Sequence, residues 1–294
     1  MLPLTIVPEI EKLLKNHCQQ EALIDETTAV GGGSINSAYR LSYAGKSFFL
    51  KYNDASRFPQ MFEKEVLGLK MLTESKSLRI PQVIGYGGKS QTSFLLLEFI
   101  NQGQPNKQFW DDFGHGLASL HRNTYASFGL DHSNYIGSLK QDNTVETSWV
   151  DFFIRQRLQP QLKLAKQHAF LSTKTLADFE KLYKLLPSLF PVETPALLHG
   201  DLWSGNFLCC ATGEAVLIDP AVYYGHREMD IAMSKLFGGF HPHFYDAYNE
   251  AWPMEKGWQQ RVDLCNLYPL LVHVNLFGGG YVGQLEACLG KYVR

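Results

Sequence analysis

The run LLHGDLWSGNFLCC, from Leu197 to Cys210, sets a histidine, an aspartate and an asparagine between two apolar stretches. Downstream, ATGE separates it from AVLID, so NFLCC and AVLID read as the two strands of a hairpin. A pairing that puts Cys210 opposite Ala215 also puts Asn206 opposite Asp219. Opposed residues of an antiparallel ladder have Cα atoms only about 4.5 to 5.5 Å apart, close enough for an amide oxygen and a carboxylate to hold one hard cation. Asp201 lies just upstream, on a loop freed by Gly200 and Gly205, and is aimed at whatever the cation carries. That is the logic of phosphoryl transfer with Mg2+. Asn and Asp also punctuate loop ends with no such role. Pro220, directly after Asp219, stops the strand and gathers the polar groups at one hairpin end, which favours the metal reading.

A phosphate site of this kind also needs a cation for the phosphates and a carboxylate to hold that cation. SAYRLSY and KSFFLKY, parted by Ala44-Gly45, read as a hairpin with a two-residue turn, and Lys51 sits late in its second strand. From Pro59 to Glu74, Phe62, Val66, Leu69 and Leu72 recur at helical spacing. Glu65 falls on that apolar face, whereas Glu63 points about 100° or more away. A buried carboxylate without a partner costs several kcal/mol, so an inward Glu65 implies Lys51 as its partner; a stripe-edge glutamate reaching solvent is the other option. VGGGSIN, before the hairpin, is not GxGxxG, but its backbone N–H groups can approach a phosphate closely.

The rest of the chain divides around these groups. Short strands around glycine turns end in an apolar strand at Leu95 to Phe99, and after the polar stretch NQGQPNKQ helical stripes dominate. We expect an α+β fold of two lobes. Residues 1–100 form an antiparallel β lobe with one main helix that binds the nucleotide phosphates; residues 101–294 form a mainly α lobe with the catalytic loop, metal site and acceptor site. Lys plus Arg number 27 against 29 Asp plus Glu, which leaves no basic excess for nucleic acid or an anionic membrane surface. The longest apolar runs fall far short of the ~20 residues a membrane-spanning helix needs. Five cysteines without a CxxC pair, and a start lacking signal-peptide features, point to a reduced, cytoplasmic protein, with a monomer as the default.

Taken in this order, HGDLWSGN, the downstream Asp-Pro, Lys51 and Glu65 resemble the protein-kinase-like phosphotransferases that include aminoglycoside and choline kinases. More narrowly, GGGSINSAYRL, FEKEVLGLKML, LLLEFI, LIDPAVYYGHREMDIAMSKLFGGF and LYPLLVHVNLFGGGY look like the fructosamine kinase, or ketosamine-3-kinase, family, from about residue 30 onward. The resemblance implies transfer of the ATP γ-phosphate to a hydroxyl of a ketosamine, either a small molecule or a glycated lysine of a protein. Carried over by motif position, Asp201 accepts the hydroxyl proton, and Asn206 and Asp219 hold Mg2+. Lys51 contacts the α- and β-phosphates and Glu65 orients it. Gly31, Gly32, Gly33 and Ser34 cover the phosphates, and Glu98, Phe99 and Ile100 form the hinge where adenine binds. Some relatives carry a cysteine where Ser34 stands, so thiol control of this loop is not expected.

Other residues stay open between site and scaffold. Trp203, Tyr223, Tyr224 and His226 could line the acceptor pocket or pack in the core. His199 reads as a brace for the catalytic loop, and Asp230 as the N-cap of the helix that follows it. Two further functions stay in view: a small-molecule kinase of the aminoglycoside or choline type, and a nucleotide-binding pseudokinase scaffold.

Overall fold

The computed structural model of the chain describes residues 2–31 and 35–293; Gly32, Gly33 and Ser34 lie outside the described residues. The first third is an antiparallel sheet of five strands in the order β1-β2-β3-β5-β4. Its strands are β1 Ile24–Val30, β2 Ser37–Tyr43, β3 Lys46–Asp54, β4 Val83–Lys89 and β5 Thr92–Glu98. β2 and β3 turn through Ala44 and Gly45, at φ +51° and +73°, the left-handed pair that a two-residue hairpin needs. The first strand was not apparent in the sequence: IDETTAV is polar and lies exposed along an edge.

Strand alternation gives this sheet two different faces. On one, Leu50 and Leu96, directly opposite each other, pack with Ile6, Ile10 and Leu14, the last two from helix α1 (Val7–Cys18). On the other, Lys51 faces Leu95 across the ladder, and Leu95 and Leu97 pack with Phe62 and Leu69 of helix α2 (Met61–Glu74). The strand that buries Leu50 toward α1 therefore delivers Lys51 toward α2.

The remainder is mainly helical. Helix α3 (Lys107–His121) starts at Asn106, whose side chain accepts from Phe109 N. A short hairpin, β6 (Asn134–Ile136) and β7 (Leu139–Gln141), leads to α4 (Trp149–Phe152), a π-helical turn over Phe153–Leu158 and α5 (Gln159–Gln167). Then come α6 (Thr173–Leu189), strands β8 (Ala196–Leu198), β9 (Phe207–Cys209), β10 (Ala215–Leu217) and β11 (Tyr223–Gly225), and helices α7 (Glu228–Leu236), α8 (Pro242–Ala251), α9 (Trp258–Phe277) and α10 (Val282–Leu289). Helix α9 is apolar all round and runs through the largest core, with Leu264, Leu267, Leu270, Leu271 and Val274 buried. Among the described residues, no helix is long and apolar enough to cross a membrane.

Four short strands in this helical half carry the polar run of interest. β8 pairs with β11 and β9 with β10, so the loop that carries Asp201 leaves one small ribbon and enters another. Sheet and hairpin are tied by the loop after β5: Ile100 packs against Cys210 and Val216, and Arg79 and Gln102 form isolated bridges to Val216 and Cys210.

Candidate active site

The hairpin register differs by one residue from the sequence expectation. Cys209, not Cys210, faces Ala215, followed by Leu208 with Val216 and Phe207 with Leu217. The cause is the turn. Cys210 N–H donates to the Glu214 carbonyl and Gly213 N–H to the Cys210 carbonyl, so three residues rather than four make the loop, and Gly213 supplies its left-handed position at φ +86°. Asn206 consequently faces Ile218, whose N–H donates to its carbonyl at 3.1 Å, and is not directly opposite Asp219.

Asp219 leaves the ladder. It adopts φ +53°, a conformation Asp tolerates better than most residues, while the preceding Ile218 carbonyl accepts from His199 Nε2 at 2.9 Å. The turn sends the Asp219 carboxylate to Lys51 Nζ, 2.6 Å away and 168 positions distant in the chain. Lys51 also pairs with Glu65, so the inward reading of that helix position holds geometrically. The Lys51 side chain is only 6% exposed, and burial disfavours its charge, yet Asp219 and Glu65 together hold the ammonium above its usual range. Burial pushes the Glu65 carboxyl up against the pull of Lys51, and Asp219 adds to the push.

Asp201 is held differently. Asn206 Nδ2 donates to its backbone carbonyl at 2.8 Å and to its carboxylate at 2.9 Å. Its own N–H donates to His199 Nδ1 at 3.3 Å. Burial raises the carboxyl to about 7; the Asn206 bond opposes this, and the Asp219 and Asp230 carboxylates add to it. A carboxyl titrating near neutrality suits a proton acceptor.

Behind the loop stands a residue whose role the sequence reading missed. Asp230 is not an N-cap: α7 begins at Glu228, and the Asp230 carboxylate, 1% exposed, turns away to the catalytic loop. It accepts from His199 N–H at 2.7 Å and Gly200 N–H at 2.9 Å, and from His121 Nε2 at 3.2 Å. The Tyr248 hydroxyl is 2.8 Å from His121 Nδ1 and completes the chain. Gly200 is obligatory here, at φ +84°, because a Cβ would come within 2.1 Å of the Ala221 carbonyl oxygen. The run Asp230-Ile231-Ala232 at the start of an apolar stretch held no cue that this carboxylate faces back across 30 residues.

The remaining expected site residues divide. Glu98 ends β5 with its carboxylate on Arg79 Nη2 at 2.6 Å and Gln82 N–H at 3.2 Å; the Phe99 ring lies under Arg40, and Ile100 is buried. Gly31 is exposed just past β1. Trp203 is partly exposed on the catalytic loop. Tyr223 and His226, by contrast, do not reach an acceptor surface. Tyr223 is 1% exposed because β11 pairs with β8 and turns that side inward, where the Arg157 guanidinium lies over its ring. His226 is fully buried between Trp149 and Phe190, and burial pushes its pKa down. Among the described residues, no three His, Cys, Asp or Glu side chains gather into a group that could hold a metal ion.

The chain is similar to known proteins over most of its length. The fructosamine kinase family model matches residues 6–294. A probable ketoamine kinase of Synechocystis is 43% identical over 272 residues, covering 92% of this chain and 91% of the relative. A chloroplastic protein-ribulosamine 3-kinase of Arabidopsis thaliana is 38% identical over 279 residues, covering 92% and 83%. A crystal structure from Thermobifida fusca, provisionally named a fructosamine-3-kinase, superposes with a TM-score of 0.88 at 34% identity and covers 99% of both chains. The aminoglycoside phosphotransferase APH(4)-Ia shares the fold, at TM-score 0.60 and 16% identity, covering 96% of this chain and 98% of that one. The chain belongs to the fructosamine kinase family and is a kinase with the protein-kinase-like fold.

Proposed function

We propose that the protein transfers the γ-phosphoryl group of ATP to the 3-hydroxyl of a ketosamine, such as a ribulosamine, erythrulosamine or fructosamine, free or on a protein lysine, as a step in deglycation. The observation that supports this reading is the reach of Lys51 from β3 to Asp219 beyond β10, which joins a buried ammonium of the sheet to the hairpin that follows Asp201. Residues 1–100 then serve as the phosphate-binding lobe, with Gly31 to Ser34 over the phosphates and Glu98 to Ile100 along adenine, and residues 101–294 as the catalytic lobe.

Asp201 takes the proton of the acceptor hydroxyl as its oxygen bonds to the γ-phosphorus. The bond from that phosphorus to the β,γ-bridging oxygen breaks, and ADP leaves. Lys51 meets the α- and β-phosphates while Glu65 keeps it oriented. The residues present fit Mg2+: the Asn206 amide spends Nδ2 on Asp201, leaving Oδ1 as an acceptor, and the Asp219 side chain is half exposed, so both offer hard oxygen donors. Bound there, Mg2+ would neutralise charge developing on the phosphate oxygens. Asn206 in addition fixes the carboxylate of Asp201.

The test is an ATP-consumption screen across ribulosamines, erythrulosamines, fructosamines, aminoglycosides and choline. We expect turnover with ketosamines. Preferred turnover of an aminoglycoside or choline would overturn the acceptor, and tight nucleotide binding without consumption of ATP by any acceptor would overturn the reaction.

A further inference from the structure

An aromatic run beside the catalytic loop has so far been given no task. It begins at Trp203, whose indole lies against Gly205, where a Cβ would meet ring atoms at 2.4 Å. Trp203 meets Phe237 edge to face, with centroids 6.1 Å apart, and Phe237 lies 4.9 Å from His273 of α9. His273 in turn touches Tyr281 at 5.1 Å and Phe277 at 5.5 Å. Its Nδ1 bonds to the Pro269 carbonyl at 2.7 Å, and burial disfavours the charged ring, so the run carries no cation of its own. Phe277, the outer member, is 54% exposed at the end of a helix whose middle, residues 264–272, is buried in the core.

The position of this end of α9 is fixed from two sides. Trp203 reaches it through Phe237, and Ile35, in the bend between β1 and β2, reaches it from the side of the sheet. A Cβ added to Gly137 would meet Leu276 at 2.8 Å and Ile35 at 3.5 Å, so the three converge. The run therefore borders the cleft between the proton acceptor and the phosphate end. Its rim is bare: a Cβ at Gly238, Gly278, Gly279 or Gly280 would meet nothing within 4 Å, which leaves room for a chain to pass outward.

We propose that this run is the subsite for the amine-bearing part of the acceptor, a proposal that rests on the ketosamine-kinase reading above. Trp203 and Phe237 take the secondary ammonium, and His273, Tyr281 and Phe277 take the alkyl chain behind it. In a ketosamine the ammonium is separated from the 3-hydroxyl by only three carbons. A sugar with that hydroxyl at Asp201 thus sets its cation beside Trp203, two residues along the loop, where a ring face attracts it. Each methylene of a lysine-like chain then removed from water strengthens binding roughly fourfold. The site selects acceptors by the length and apolarity of their amine.

The experiment compares kcat/KM for three ribulosamines, made from methylamine, butylamine and Nα-acetyl-lysine. Wild-type enzyme should prefer the butyl and lysine adducts over the methyl adduct by about tenfold or more. In Phe277→Ala the butyl-to-methyl ratio should fall about tenfold, and Phe277→Leu, which keeps an apolar side chain, should restore most of it. An unchanged ratio in Phe277→Ala, or a wild-type enzyme indifferent to the amine, would overturn the subsite. No turnover of any of the three by wild-type enzyme would overturn the ketosamine reading along with it.

Discussion

On the sheet side of the cleft, Lys51 is positioned by charge, between Glu65 of α2 and Asp219 beyond β10. On the helical side, Asp201 is positioned by neutral donors and by its own backbone: Asn206 on its carboxylate, His199 on its N–H, and Asp230 holding the two preceding peptide groups. The first arrangement spans elements far apart in sequence and centres on a buried ammonium shared by two carboxylates. The second is a hydrogen-bonded plug of the core that rearranges only if the core does. The group proposed to meet the phosphates is thus held by ion pairs around a buried ammonium, and the group proposed to take the proton is held by hydrogen bonds from neutral donors and by its own backbone.

The difference can be broken at several points. Asp201→Asn keeps the shape but removes the proton acceptor, and should lower kcat by about 10² to 10⁴ with the melting temperature little changed, measured as ATP-dependent turnover beside a thermal melt. Lys51→Met should cost about 10² to 10³ in kcat/KM for ATP, the scale of losing one preorganised electrostatic contact. It also leaves Glu65 without its partner, so adding Glu65→Gln should recover stability but not rate. Asp230→Asn should act chiefly on the acceptor side, lowering kcat roughly tenfold and destabilising by about 1–3 kcal/mol as buried N–H groups lose a charged acceptor. Equal loss of ATP affinity there would blur the distinction between the two sides.

The smallest effect concerns a residue that sequence reasoning placed at the acceptor. His226 is buried with its pKa lowered, so as pH falls below the ordinary value of about 6.5 the unfolded chain takes up a proton that the folded chain refuses. Stability must therefore fall with pH in that window, by up to about 1.4 kcal/mol per pH unit from this group. His226→Gln should melt with a shallower pH dependence between about pH 6.5 and 5.5. A change in KM for the acceptor with the pH slope untouched would return His226 to the site.

The two sides also differed in how legible they were. Lys51 and Glu65 could be suggested as partners because the helix's period puts Glu65 on the apolar face and a buried carboxylate needs a cation, although a solvent-reaching glutamate stayed open. The hairpin was recognisable, but its register was not: one left-handed residue, Gly213, shortened the turn and moved every pair by one, and Asp219 then left the ladder through its own positive φ. Asp230 and His121 escaped because their partners belong to other elements, 31 and 109 positions away, and no local pattern encodes packing of that range. Tyr223 and His226, left open between acceptor pocket and core, could not be placed for the same reason. Polar tips near this loop look like site residues until the β8–β11 pair turns Tyr223 inward and Trp149 and Phe190 close around His226.

The most direct test of this division sets nucleotide affinity beside turnover in two variants, Lys51→Met and Asp230→Asn, with Mg2+ present. The account predicts that Lys51→Met weakens ATP binding at least about tenfold, while Asp230→Asn lowers kcat and leaves the ATP dissociation constant within about twofold of wild type. Loss of ATP affinity in both variants, or in Asp230→Asn alone, would contradict it.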